Sequence, residues 1–160
     1  MRWLAVGVLF FLAGGVWSQE GSKLGKRYGF DVNVPFYPQK TPQEALLSIS
    51  KASDNNRVDY LLAHLADPRF VDETVARYKD SVPQGSEKAK VFLAFDRLVK
   101  ETGQYFLEDP SLLKELRRFA KEGEWEINDN QAVGSLKSIQ GRKVFLRKLE
   151  DRWFLENKQQ

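Results

Sequence analysis

From Thr41 onward the spacing of the apolar residues changes once, at Glu124, and that change limits the folds open to the chain. Between Thr41 and Glu124 apolar side chains recur every three or four residues, as on the buried face of a helix; after Glu124 they alternate, as in strands. We predict four strands separated by short turns, at 124–127, 132–138, 142–149 and 152–157. Because connections this short force neighbouring strands to run antiparallel, these strands should form a meander.

The helical part begins with a strong start signal. Thr41 opens a capping box, because its side chain can accept from the amide of Glu44 while the Glu44 side chain reaches back, and Pro42 fits the first helical turn. A second helix over 58–65 and a short third helix around 70–79 follow, each ended by a segment that contains proline.

The fourth helix has the clearest apolar stripe, which continues past Gly103. The residues of the stripe are Val91, Phe92, Phe95, Leu98, Val99 and Phe106. Leu93 faces away from it. A fifth helix begins after Asp109-Pro110, and Gly123 ends it. We therefore predict an α+β fold in which about five N-terminal helices pack on a C-terminal four-stranded antiparallel β-meander.

The first residues have the pattern of a secretory signal peptide. Arg2 precedes an uncharged apolar run, Trp3–Trp17, and small or modest residues follow where a signal peptidase cuts. A spanning helix needs roughly 20 apolar residues, so this run is short for a retained anchor. We predict a cleaved signal peptide at 1–18, a flexible or extended arm at 19–40 and a single α+β domain at 41–160. The protein should then be exported, to the periplasm or beyond.

The composition excludes several kinds of chemistry. The chain has no cysteine, so disulfides, thiolate metal sites and cysteine nucleophiles are excluded, and one histidine cannot form a histidine cage. No glycine-rich phosphate loop, nucleophile elbow or metal-binding helix motif occurs, so we expect neither a metal nor a cofactor. The formal net charge of +3 is mild, and we expect no nucleic-acid partner.

Both ends of the predicted domain resemble a known superfamily. The segment 41–46 reads Thr-Pro-Gln-Glu-Ala-Leu and leads through Asp54-Asn55-Asn56 into 58–67, while 142–155 contains an acidic turn followed by Arg-Trp. This pattern is similar to small exported domains of the nuclear transport factor 2-like, cystatin-like cone superfamily. The resemblance implies an opening helix pair and a curved sheet, and the two helices at about 86–122 depart from it. Because that superfamily includes enzymes, ligand carriers and inert scaffolds, the resemblance implies a fold and no particular activity.

His64 is the obvious candidate for acid–base catalysis, since imidazole titrates near neutral pH. At helical spacing it lies off the apolar stripe of its helix, so we expect it on an exposed flank. Asp59 and Tyr60 are the residues nearby in the chain that could assist it. Asp59 also stands where a first-turn carboxylate complements the helix dipole, which explains it without catalysis.

Three large aromatic residues on the predicted sheet are candidates for ligand binding: Trp125, Phe145 and Trp153. Aromatic side chains commonly line apolar ligand pockets, and they also fill cores. The strand that contains Phe145 is apolar on both faces. Its second face must therefore be covered by the N-terminal arm, a ligand or a partner.

These observations favour an exported, soluble, non-catalytic binding or accessory domain, whose partner is a small apolar ligand or another protein. One alternative is a cone-type isomerase or hydrolase that uses His64 with Asp59 or Tyr60. Another is a periplasmic accessory protein tethered by an uncleaved N-terminal segment; if the signal is cleaved, no stable membrane anchor is expected.

Overall fold

A computed structural model describes residues 25–158, without the side chain of Gln140. Within these residues a short hairpin precedes five helices and a four-stranded sheet. The hairpin consists of β1 (Lys26–Arg27) and β2 (Phe30–Asp31). The helices are α1 (Pro42–Asp54), α2 (Val58–His64), α3 (Pro68–Asp80), α4 (Glu87–Glu108) and α5 (Ser111–Glu122). The predicted signal peptide, 1–18, and the first residues of the predicted arm lie outside the described part.

The sheet is an antiparallel meander in the order β3, β4, β5, β6, so the predicted α+β fold is confirmed. Its strands are β3 (Glu124–Ile127), β4 (Gln131–Leu136), β5 (Ile139–Leu149) and β6 (Arg152–Leu155). An additional bridge joins Ala66, between α2 and α3, to Leu155 of β6. The α2–α3 connection therefore covers the β6 edge of the sheet.

The turn between β4 and β5 differs from the one expected at Gln140-Gly141. Leu136 pairs directly with Ile139, and the register then shifts so that Ser135 pairs with Lys143. The extra residues of β5 form a bulge, in which Gly141 has a φ of 84°. Glycine adopts this backbone conformation without the steric cost that a side chain adds, which explains why the turn signal lies inside the strand.

The capping box predicted at the start of α1 is present. The Thr41 hydroxyl accepts from the amide of Glu44 at 3.1 Å, and the Glu44 carboxylate accepts from the amide of Thr41 at 3.3 Å. From this start α1 buries Leu46 and Ile49, and it packs against α5 and β6. The helical layer is therefore attached to one face of the sheet.

The longest helix, α4, follows the predicted phase with one exception. Phe95 is 4% exposed and Leu93 is 54% exposed, as a stripe centred on Phe95 requires. Phe92 was expected to be buried, but it is 41% exposed. It lies next to the β1–β2 hairpin, where Gly29 approaches its ring. Among the described residues, no helix is long and apolar enough to cross a membrane.

Candidate functional site

His64 is completely buried, so the expectation that it lies on an exposed flank is wrong. Its Nε2 atom lies 2.9 Å from the carbonyl oxygen of Phe30, at the start of β2. The side of α2 that lacks apolar periodicity is covered by residues 25–40. A helical wheel drawn from α2 alone cannot show this, because the covering segment comes from elsewhere in the chain.

The environment of His64 fixes its protonation state. Burial lowers the pKa of the imidazole, and the hydrogen bond to Phe30 opposes that shift only in part. The ring is therefore neutral near pH 7. Because a carbonyl can only accept, Nε2 carries the proton, and Nδ1 has no hydrogen-bond partner among the described residues. A buried, neutral ring without access to solvent is unsuited to proton exchange with a substrate.

Tyr60 and Asp59 also take part in local packing. The Tyr60 hydroxyl accepts from the backbone amide of Asn33 at 2.8 Å, and its ring stacks on Tyr37 with 4.4 Å between centroids. Burial raises the pKa of the Tyr60 hydroxyl. Asp59 accepts from Arg57 Nε at 2.9 Å and from the amide of Tyr60 at 2.7 Å. His64, Tyr60 and Asp59 are therefore each engaged in contacts with the arm or within the α2 region.

Further contacts hold residues 25–40 on the helices. Arg27 donates to the carbonyl of Ala63 at 2.8 Å and forms an ion pair with Asp72 at 2.6 Å. Tyr28 stacks on Phe95 of α4, with 4.1 Å between centroids and 5° between planes. The described part of the arm is thus integrated into the packing of α2, α3 and α4.

The three aromatic residues predicted to bind a ligand do not form one site. A Cβ atom on Gly134 would lie 2.9 Å from the Trp125 ring, so Trp125 packs directly over that glycine. Trp153 is buried, its amide donates to the carbonyl of Gln39 at 3.0 Å, and it borders an open hollow at the far end of β5. Only Phe145, which is partly buried, lines a groove with apolar walls.

This apolar groove lies between the C-terminal half of α4, α5 and residues 155–158. It consists of two adjoining cavities of about 340 and 300 Å³. Both cavities share six lining residues: Leu61, Tyr105, Phe106, Leu155, Glu156 and Asn157. Tyr105 is 53% exposed, so an aromatic ring is presented to solvent along the wall.

The groove exists because two consecutive helices pack on different partners. α4 packs against α2 and α3, whereas α5 packs against α1 and β4. Their connection contains only Asp109 and Pro110, so the helices diverge immediately after the turn. Apolar side chains on their facing sides, such as Phe106 of α4 and Leu112 of α5, line the groove, and no further helix or strand within residues 25–158 covers them.

The two ends of the groove differ in charge. The end beside α5 and β5 is bordered by three cations: Arg142, Lys143 and Lys158. Arg142 forms an ion pair with Glu115, and Lys158 pairs with Glu156 at 2.7 Å. The end beside α3 is lined by Leu62, Ala66, Phe70 and Leu98, and beyond the shared Glu156 the one charged residue that the structure describes there is Glu101.

Sequence reasoning missed this groove, although it identified several of its parts. Phe106 was assigned to a buried stripe and Phe145 to a ligand pocket, with no reason to connect them. The available signal was the length of the α4 stripe, which extends well beyond what the 13-residue α3 can cover. Phe106 lies in the C-terminal half of α4 and lines the groove.

Within residues 25–158, no group of three or more His, Asp or Glu side chains is arranged to hold a metal ion. Comparison of the chain with known protein families, curated proteins and solved structures found no match. The groove and the residues that border it are therefore the features of the described structure from which a function can be inferred.

Proposed function

We propose that this protein is a non-catalytic binding domain and that the apolar groove is its binding site. The observation that carries the proposal is the continuity of the two cavities along one face of α4. Ligand sites usually occupy about 300–1,000 Å³ and have mostly apolar walls with a few polar groups. The cavities of about 340 and 300 Å³ fall in that range.

The distribution of polar side chains also supports binding over catalysis. The carboxylates at the groove already have partners: Glu115 with Arg142, Glu156 with Arg147 and Lys158, and Glu101 with Tyr78 and Arg97. Each of these carboxylates is therefore engaged by side chains of the protein itself and is not left free for a substrate. Of the residues that could have served a cone-type enzyme, His64 and Tyr60 are bound to the arm and Asp59 is held by Arg57.

We further propose that the protein acts after export, with 1–18 removed, and that its fold is related to the cone superfamily named above. The apolar run before Ser18 supports export. N-terminal sequencing of the exported protein tests this: a start near Gln19 is expected, and retention of Trp3–Trp17 would favour the tethered alternative.

The binding proposal can be tested by filling the groove. Thr102 lines the cavity beside α3, so Thr102→Trp should occupy the space that a ligand needs. Gln104→Trp is the matched control, because Gln104 lies on the same helix but is exposed and pairs with Glu108. The probe is Nile red, an uncharged dye whose fluorescence rises in apolar surroundings.

We expect saturable binding of Nile red to the wild type, a loss of at least about tenfold in affinity for Thr102→Trp, and little change for Gln104→Trp. Circular dichroism and urea melts establish that both variants fold. Equal binding by the two variants, or no saturable binding by the wild type, would remove the groove as the binding site.

A further inference from the structure

Among the described residues that line the apolar groove, none is a cation at the α3 end and three are cations at the α5 end. At the α3 end, Phe70 and Leu98 form apolar walls, and the carboxylate of Glu101 is engaged by Tyr78 and Arg97. At the α5 end, Arg142, Lys143 and Lys158 border the opening. A ligand that matches both ends must be elongated, apolar over most of its length and anionic at one end.

Lys143 is the cation best placed to meet such an anion. Arg142 and Lys158 each have a carboxylate partner, Glu115 and Glu156. Lys143 is exposed at the groove and forms no ion pair with any residue in 25–158. An ammonium group at the mouth of an apolar cavity attracts an anion while the rest of the ligand is desolvated along the wall.

We infer that the groove binds a long-chain fatty acid, with its carboxylate beside Lys143 and its hydrocarbon chain along α4 toward Leu98. This inference rests on the proposed function and specifies its ligand class. Burial of the hydrocarbon chain supplies most of the affinity, because each methylene removed from water stabilises the complex. The head group adds selectivity, because exposed ion pairs contribute little free energy.

The test compares two chains of the same length with different heads, dodecanoate and 1-dodecanol, by isothermal titration calorimetry below their aggregation concentrations. Lys143→Gln removes the proposed partner of the carboxylate. Lys137→Gln also removes one positive charge, at a lysine that does not line the groove and that pairs with Glu124 at 2.7 Å. It therefore controls for a general change in net charge.

We expect dodecanoate to bind more tightly than 1-dodecanol to the wild type. Lys143→Gln should weaken dodecanoate about three- to fivefold without affecting 1-dodecanol, and Lys137→Gln should change neither. Thr102→Trp should prevent both ligands from binding. High salt should reduce the preference for dodecanoate, since exposed charges are screened.

Equal affinities for the two ligands, unchanged by Lys143→Gln, would overturn the fatty-acid inference while the binding function stands. If neither ligand nor Nile red binds to the wild type, the proposed function itself fails. A dimer in sedimentation velocity that Thr102→Trp dissociates would assign the groove to a second copy of the chain and overturn the inference.

Discussion

His64 Nε2 donates to the carbonyl oxygen of Phe30 across 2.9 Å, and this hydrogen bond joins the interior of α2 to the N-terminal hairpin. Gln39 reinforces the same junction: its amide nitrogen donates to the carbonyls of His64, at 3.0 Å, and Trp153, at 2.8 Å. The arm, α2 and β6 therefore meet around two buried polar side chains. The one histidine of the chain serves the fold.

Replacing His64 should consequently destabilise the protein. His64→Ala removes a buried ring and leaves the carbonyl of Phe30 without its donor, so we expect a loss of about 2–4 kcal/mol in the free energy of unfolding. Glu73→Ala, at an exposed position of α3, should change it by less than about 0.5 kcal/mol. Urea melts measure both, and a His64→Ala effect as small as the control would contradict the buried assignment.

The buried imidazole should also make stability depend on pH. Burial lowers the pKa of His64 below its ordinary value of 6.5, so the unfolded chain binds a proton more readily than the folded one. The contribution of this neutral ring to the free energy of unfolding is complete above about pH 6.5, and it is lost as the pH falls toward the pKa of His64 in the folded protein. For one proton the slope cannot exceed about 1.4 kcal/mol per pH unit.

His64→Gln is the reference for this titration, because glutamine can still donate to Phe30 but does not titrate. We expect the stability difference, wild type minus variant, to decrease as the pH falls below about 6.5. Burial raises the pKa of Asp67, which gives the opposite trend at more acidic pH. The trend from Asp67 occurs in both proteins and therefore cancels in the difference. A stability difference that does not change with pH would show that His64 is not buried in solution.

Two neighbouring positions on α4 test the assignment of its buried face. Phe95 is 4% exposed and stacks on Tyr28, whereas Leu93 is 54% exposed. Phe95→Ala should cost about 3–5 kcal/mol and Leu93→Ala clearly less. Denaturant melts on the same chain provide the comparison, and equal losses would mean that the phase of α4 is wrong.

Gly134 should tolerate no side chain. A Cβ atom there would lie 2.9 Å from both the Trp125 ring and Val144 Cγ1. Gly134→Ala should therefore cost about 1–3 kcal/mol through overpacking. Ser135→Ala, on the opposite face of β4, should have a small effect in the same urea melts. A neutral Gly134→Ala would show that Trp125 does not pack on this glycine.

Helices and strands could be predicted where their sequence signal is local, whereas the position of the groove could not be predicted from the sequence. The capping box at Thr41, the α4 stripe around Phe95 and the alternation after Glu124 each depend on residues close together in the chain. The burial of His64 depends on its contact with Phe30, and the groove depends on the packing of α4 and α5 against different elements. Such features depend on packing between residues far apart in the chain. The periodicity within one element carries no information about that packing.

The most direct test of the binding site is to map it by nuclear magnetic resonance. In a titration of the ¹⁵N-labelled protein with dodecanoate, we expect the largest amide shift changes at Tyr105, Phe106 and residues 155–158, which border the groove. The amides of Tyr60 and His64, on the arm side of α2, should change little. Shift changes centred on Tyr60 and His64, or none along the groove, would contradict the account.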